Sequence, residues 1–82
     1  MMNENLIDRI VLDPKIKVGK PVIRGTRLTV DFILNRLACG ATENEILNEY
    51  QGLTREDLQA CLLFATKSLK NMEFMPLMVE SV

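Results

Sequence analysis

The sequence predicts a mainly α protein, a trihelical core with a short β arm or hairpin at its N-terminal side. Three observations predict it. The first third alternates short β-branched stretches with glycine and proline. The middle carries three apolar patterns at helical spacing, each opened by a threonine. Glycines stand where the first two of those patterns stop. At 82 residues the chain is read as one domain. The β arm takes 7–30, the three-helix core 30–69 and an apolar tail 70–82. With 48% apolar residues it is too hydrophobic for a disordered chain, and at this size it is expected to rely on a partner.

In the arm, Arg9-Ile10-Val11-Leu12 reads as a strand closed by Asp13-Pro14. Lys20–Ile23 and Arg27–Val30 read as strands flanking Arg24-Gly25-Thr26, a tight hairpin turn in which Gly25 supplies positive φ. Pro21 has no N–H, so its strand belongs at a sheet edge or begins there. Strands this short need helices or a second chain to hold them.

Thr29 opens the first helix, with Asp31 in its first turn and an apolar stripe of Val30, Ile33, Leu34, Leu37 and Ala38. Gly40 stops it. Thr42 opens the second, where Glu45 completes a capping box, Ile46, Leu47 and Tyr50 form the apolar face, and Gly52 ends the element. Thr54 opens the third, with Asp57 in the reciprocal capping position and a stripe of Leu58, Cys61, Leu62, Ala65 and Leu69. Leu63 and Phe64 widen that surface beyond one small core and point to a homodimer contact. In the tail, Met72, Met75 and Met78 recur every third residue with Phe74, Leu77 and Val79 between them, and Pro76 prevents a continuous helix. The tail either packs on its own core or folds on a partner.

The net charge of −1 hides an asymmetry. Residues 1–36 hold seven Lys or Arg against four acids, and residues 37–82 hold three against seven. Between Asp13 and Arg27 lie Lys15, Lys17, Lys20, Arg24 and Arg27. Three readings of this basic arm stand: phosphate contacts, a solvated edge that discourages sheet aggregation, or pairing with the acidic half of a partner chain. The second and third helices form a helix-turn-helix pattern, with Arg55 and Gln59 suited by type to read bases, although Glu56 and Asp57 would repel phosphate there.

Other chemistry is not expected. There is no His, Cys39 and Cys61 form no Cys-x-x-Cys pair, and neither cysteine has a base at readable spacing. Both cysteines are read as buried small hydrophobes of a reducing cytoplasm. No catalytic residue, cofactor or metal site is assigned. The arm lacks the Gly-x-x-x-x-Gly-Lys-Ser/Thr pattern of a phosphate-binding loop. The N-terminus is polar and acidic, unlike a signal peptide, and no apolar run reaches membrane-spanning length, so the expected location is cytoplasmic.

Gly19-Lys20-Pro21-Val22-Ile23-Arg24-Gly25-Thr26-Arg27, followed by the Val30-to-Gly40 helix, resembles the signature of domain-of-unknown-function family 433. Ala41–Leu47 and Leu53–Ala60 resemble its next two helices, so the likeness covers about residues 7–68. The resemblance implies a homeodomain-like trihelical fold with an N-terminal β arm. Many members resemble VapB-type antitoxins, encoded beside a PIN-like ribonuclease toxin, which bind that toxin and, usually as dimers, their own operator DNA. It makes Lys20, Arg24 and Arg27, with Lys15 and Lys17 of the same arm, candidates for DNA phosphates, and Arg55 and Gln59 candidates for base contacts. By analogy with antitoxins in general, Met72, Phe74, Met75, Leu77 and Met78 become the toxin-binding segment, while Leu63 and Phe64 remain the dimer contact. The expected function is a homodimeric antitoxin that neutralises its toxin and represses its own operon. The alternative is a dimeric interaction module that binds no DNA.

Overall fold

The computed structural model describes residues 6–12, 14–15 and 19–70. In chain order these form a 3-10 turn, Ile7–Arg9, strand β1, Ile10–Leu12, and strand β2, Pro21–Ile23. Helices α1, Val30–Ala38, α2, Glu43–Glu49, and α3, Arg55–Lys70, follow. The protein is mainly helical, with three helices and one short antiparallel hairpin among the described residues.

β1 and β2 pair Ile10 with Ile23, Val11 with Val22 and Leu12 with Pro21. Pro21 is the first residue of β2, where its missing N–H costs the ladder least. Beyond the ladder the Arg24 amide donates to the Arg9 carbonyl at 2.7 Å, which ties the chain leaving β2 to the residue before β1.

The expected strand over Arg27–Val30 is not formed; one bridge, Val22 to Thr29, is all that remains of it. The turn itself is present. The Ile23 carbonyl accepts from the Thr26 amide at 3.0 Å and from the Thr26 hydroxyl at 2.8 Å. Gly25 takes the positive φ of 82° that this turn requires. The Thr26 hydroxyl also accepts from the Leu28 amide at 3.0 Å. The strand is cut short because Thr29 serves as the N-cap of α1, where its hydroxyl accepts from the Phe32 amide at 3.1 Å.

α1 ends in a paired C-cap. The Gly40 amide donates to the Leu37 carbonyl at 3.1 Å and the Ala41 amide to the Arg36 carbonyl at 3.0 Å, with Gly40 at φ 104°. Ala38 and Cys39 belong to this solvent-facing cap, so both are exposed, contrary to the expectation that they are buried. α2 opens with the capping box: the Thr42 hydroxyl accepts from the Glu45 amide at 3.1 Å, and the Glu45 carboxylate accepts from the Thr42 amide at 2.9 Å.

The core joins β2, α1, α2 and α3 through Ile23, Val30, Ile33, Ile46, Leu53, Leu58 and Cys61. Phe32 and Tyr50 meet edge to face at its border, with ring centroids 5.9 Å apart. α3 packs against the 3-10 turn, β1, α1 and α2, and this determines which of its sides is covered. Asp57, Leu58, Ala60 and Cys61 are buried, and Phe64 packs against the core. The stripe expected on α3 therefore holds only in its first half. Leu62 is 46% and Leu69 61% exposed, on sides of the helix that its neighbours leave open.

One residue closes the contact between arm and helix. The Asp57 carboxylate accepts from the Thr54 amide at 3.0 Å, and the Asp57 amide donates to the Thr54 hydroxyl at 3.2 Å. The second carboxylate oxygen accepts from the Arg9 guanidinium at 3.1 Å. Asp57 is 7% exposed, so its charge lies inside the protein and needs these donors.

Burial and the Asp57 carboxylate together push the Cys61 thiol up to about 12 from an ordinary 9.0. An alkylating reagent at mildly alkaline pH should therefore modify Cys39 and spare Cys61 in the native protein, with both reacting in denaturant; mass spectrometry of the labelled peptides checks this. Asp57→Ala should cost about 2–3 kcal/mol through the lost cap and the orphaned guanidinium. A double-mutant cycle of Arg9→Gln with Asp57→Ala, read by chemical denaturation, should give a coupling of about 1 kcal/mol, modest because the Arg9 side chain is 42% exposed.

Candidate nucleic-acid and partner surfaces

The basic side chains of the arm do not form one cluster. Lys20 is exposed and pairs with Asp31 in the first turn of α1 at 3.2 Å. The Thr29 hydroxyl first, and the Lys20 ammonium second, hold the Asp31 carboxyl below its ordinary value, so the pair is intact at neutral pH and lost only as pH falls through that lowered pKa. Arg24 is also exposed, but its guanidinium donates through Nε, at 3.1 Å, and through Nη2 to the Asp8 carbonyl in the 3-10 turn. It therefore works as a brace of the arm. Lys15 is exposed in the turn after β1, and Lys17 lies outside the described residues.

Arg27 differs from these. It is exposed, and no described residue makes a hydrogen bond or ion pair with its guanidinium. It lines a shallow pocket of about 180 Å³ with Leu28, Thr29 and Phe32 at the start of α1.

At the head of α3, Arg55 and Gln59 are both exposed and stand four residues apart, one helical turn. Arg55 pairs with Glu43 of α2 at 2.6 Å. Asp57 takes the capping position expected of it and is turned inward onto Thr54 and also Arg9, which leaves Glu56 as the one exposed acid of that first turn. The spacing Thr54 to Asp57 is visible in the sequence, whereas Arg9 lies 48 residues away and no local pattern connects it to Asp57.

The partner-binding candidates divide. Leu63 and Phe64 are half-buried, and Phe64 packs against the protein's own core, so it is less free for a second chain than expected. The apolar surface that does face solvent on α3 is Leu62 and Leu69. Met72, Phe74, Met75, Leu77 and Met78 lie outside the described residues. Among the described residues no group of His, Cys, Asp and Glu is arranged to hold a metal ion, and no helix is long and apolar enough to cross a membrane.

These features define a class: a small three-helix protein whose β hairpin is bolted to its third helix and which carries dispersed, exposed basic residues. The chain belongs to the DUF433 family, described as proteins of unknown function, whose family model matches residues 10–65. It is similar to a DUF433 member protein from Anabaena variabilis ATCC 29413 with a solved crystal structure. The TM-score is 0.72 at 31% identity, over 83% of this chain and 67% of that one. A stretch of 25 residues, 30% of this chain and 69% of the relative, is 60% identical to an uncharacterized protein of Archaeoglobus fulgidus.

Lys20, Arg27 and Arg55 make only exposed ion pairs or none, so replacing each by alanine should change the unfolding free energy by less than about 0.5 kcal/mol. Arg24→Ala, which removes donors from a backbone carbonyl, should cost about 1 kcal/mol. Equilibrium denaturation of the four variants separates the brace from the bases free to meet a ligand.

Proposed function

We propose that this chain is a non-enzymatic, antitoxin-like protein that acts as a cytoplasmic homodimer, binds and neutralises a PIN-like ribonuclease toxin, and represses its own operon by binding operator DNA. In this reading α1–α3 act as a homeodomain-like unit. The observation that carries the DNA part is the state of the charges at the head of α3 and the foot of α1. Asp57 is taken up internally by Arg9 and Thr54, while Arg27, Arg55 and Gln59 face outward. Arg27 and Lys20 suit phosphates, and Arg55 and Gln59 suit base edges. The exposed pairs Lys20–Asp31 and Arg55–Glu43 exchange a carboxylate for a phosphate at little cost, since such pairs are weak in water. The exposed Leu62 and Leu69 of α3 supply the surface that a second protomer covers. The toxin partner rests on the antitoxin resemblance of the family.

A second reading, a dimeric interaction module without DNA binding, is favoured by two details of the same site. Glu56 remains exposed beside Arg55, and Arg55 is held by Glu43 at 2.6 Å.

Titration of the protein against the duplex upstream of its own gene, across a salt series, distinguishes the two. The repressor reading predicts saturable, sequence-selective binding whose logarithm falls linearly with log salt. Arg27→Ala should weaken it on all sequences and reduce the salt slope by about one, and Gln59→Ala should relax selectivity at one base position. Absence of binding at low salt leaves the interaction module.

A further inference from the structure

Arg55 opens α3 and Glu43 opens α2, and their side chains meet across the turn between the helices. The Arg55 Nη1 donates to the Glu43 Oε1 at 2.6 Å. Both ends of this contact stand on fixed backbone. The Thr42–Glu45 capping box sets the first turn of α2, and the Thr54–Asp57 bonds set the first turn of α3. Glu56 is nearer to Arg55 in sequence, but helix residues one apart do not face each other, so the carboxylate that reaches Arg55 comes from α2. Glu43 takes one donor only. The Arg55 Nε and Nη2 bond no described residue, and the Arg55 side chain is 57% exposed against 35% for Glu43.

Resting on the repressor reading, we propose that Glu43 is a positioning residue: it holds Arg55 by one corner so that the free edge of the guanidinium reads a guanine in the major groove of duplex DNA. Charge comes first. The pair carries no net charge, so Arg55 gains little from a phosphate, and Arg27, which no described residue pairs, is the better anchor for one. The major-groove edge of guanine is neutral and offers two acceptors, N7 and O6. Donor count comes second. A guanidinium has five N–H donors in a planar fork, and with one taken by Glu43 the Nε and Nη2 donors remain side by side. Arg55 therefore meets guanine without leaving Glu43; the exchange that a phosphate requires is not needed on a base edge.

Order comes third. A loose arginine gives up its rotamer freedom when it binds, whereas one already held has given it up in the free protein. Gln59, one turn along, bonds no described residue and lacks this preparation. α3 rises about 6 Å between the two. The duplex they select then carries a guanine and, about two base steps away, an adenine.

The test sequences the fraction that the full chain and its variants bind from a pool of duplexes with a randomised central segment, beside affinities for an unselected duplex. The unaltered chain is expected to prefer guanine at one position by about 10-fold or more, and Arg55→Ala to remove that preference. Glu43→Ala is expected to act in two directions. It lowers the guanine preference by about 3- to 10-fold, because Arg55 is no longer ordered in advance. It also tightens binding to the unselected duplex, because an acid beside the phosphates is gone. A purely structural role would weaken both. Glu43→Gln keeps an acceptor oxygen at the same reach and is expected to restore most of the preference. In the Arg55→Ala background, Glu43→Ala should change no base preference further. Both helix caps are made without Glu43, so these variants are expected to fold, and chemical denaturation checks that they do. A guanine preference that Arg55→Ala removes and Glu43→Ala leaves intact or strengthens overturns the proposal while the repressor reading stands. Selective binding in which Arg55→Ala alters no position does the same. An unaltered chain that selects no duplex at low salt overturns both.

Discussion

A single carboxylate, that of Asp57, ties the two halves of this small protein together. It closes the first turn of α3 by accepting from the Thr54 amide and reaches across to the Arg9 guanidinium at the foot of the hairpin. A three-residue strand pair is not stable alone in water. Here it becomes part of one body because Arg9 meets α3, the Arg24 amide returns to the Arg9 carbonyl, and Ile23 enters the helical core. The cost of burying a charge is offset by giving each of its oxygens a donor. Burial first, and the Asp57 carboxylate second, keep the Cys61 thiol protonated one turn further along α3.

That constraint also sorts the basic residues. Arg9 and Arg24 are engaged internally, one on Asp57 of α3 and one on the Asp8 carbonyl. Lys20 and Arg55 hold exposed acids, and Arg27 holds none of the described residues. A chain with net charge −1 has no general field to attract nucleic acid. Recognition would therefore rest on a few outward side chains placed by rigid elements, and an acid turned inward at the head of α3 matters to it as much as an added base. The outward apolar residues Leu62, in the middle of α3, and Leu69, near the last described turn, lie on the helix apart from Arg55 at its head.

Local chemistry made much of the fold legible. The threonines at 29, 42 and 54, the acids three residues after two of them, and Gly40 fix the starts and one stop of the helices through bonds that span four or five residues. Family membership was legible too, in the run from Gly19 to Arg27 and the helices after it. What depends on distant partners was not. Arg27–Val30 has the composition of a strand, but Thr29 caps a helix. Leu62 and Leu69 fit a helical stripe, yet burial on α3 follows the arm, which no periodicity within the helix encodes. Cys39 continues the apolar pattern of α1 and still faces water, because the cap lifts it out of the stripe. Arg24 is indistinguishable by sequence from the other bases of the arm, and only its backbone acceptor sets it apart.

Native-state hydrogen exchange tests the central claim that arm and third helix are one cooperative unit. The Ile23 and Arg24 amides, bonded to the Leu28 and Arg9 carbonyls, report on the arm, and the amides around Cys61 report on α3. The account predicts that both sets open with the same free energy, and that Asp57→Ala lowers the protection of the arm amides below that of α3. Arm amides that already exchange far faster than those of α3 in the unaltered protein would contradict it.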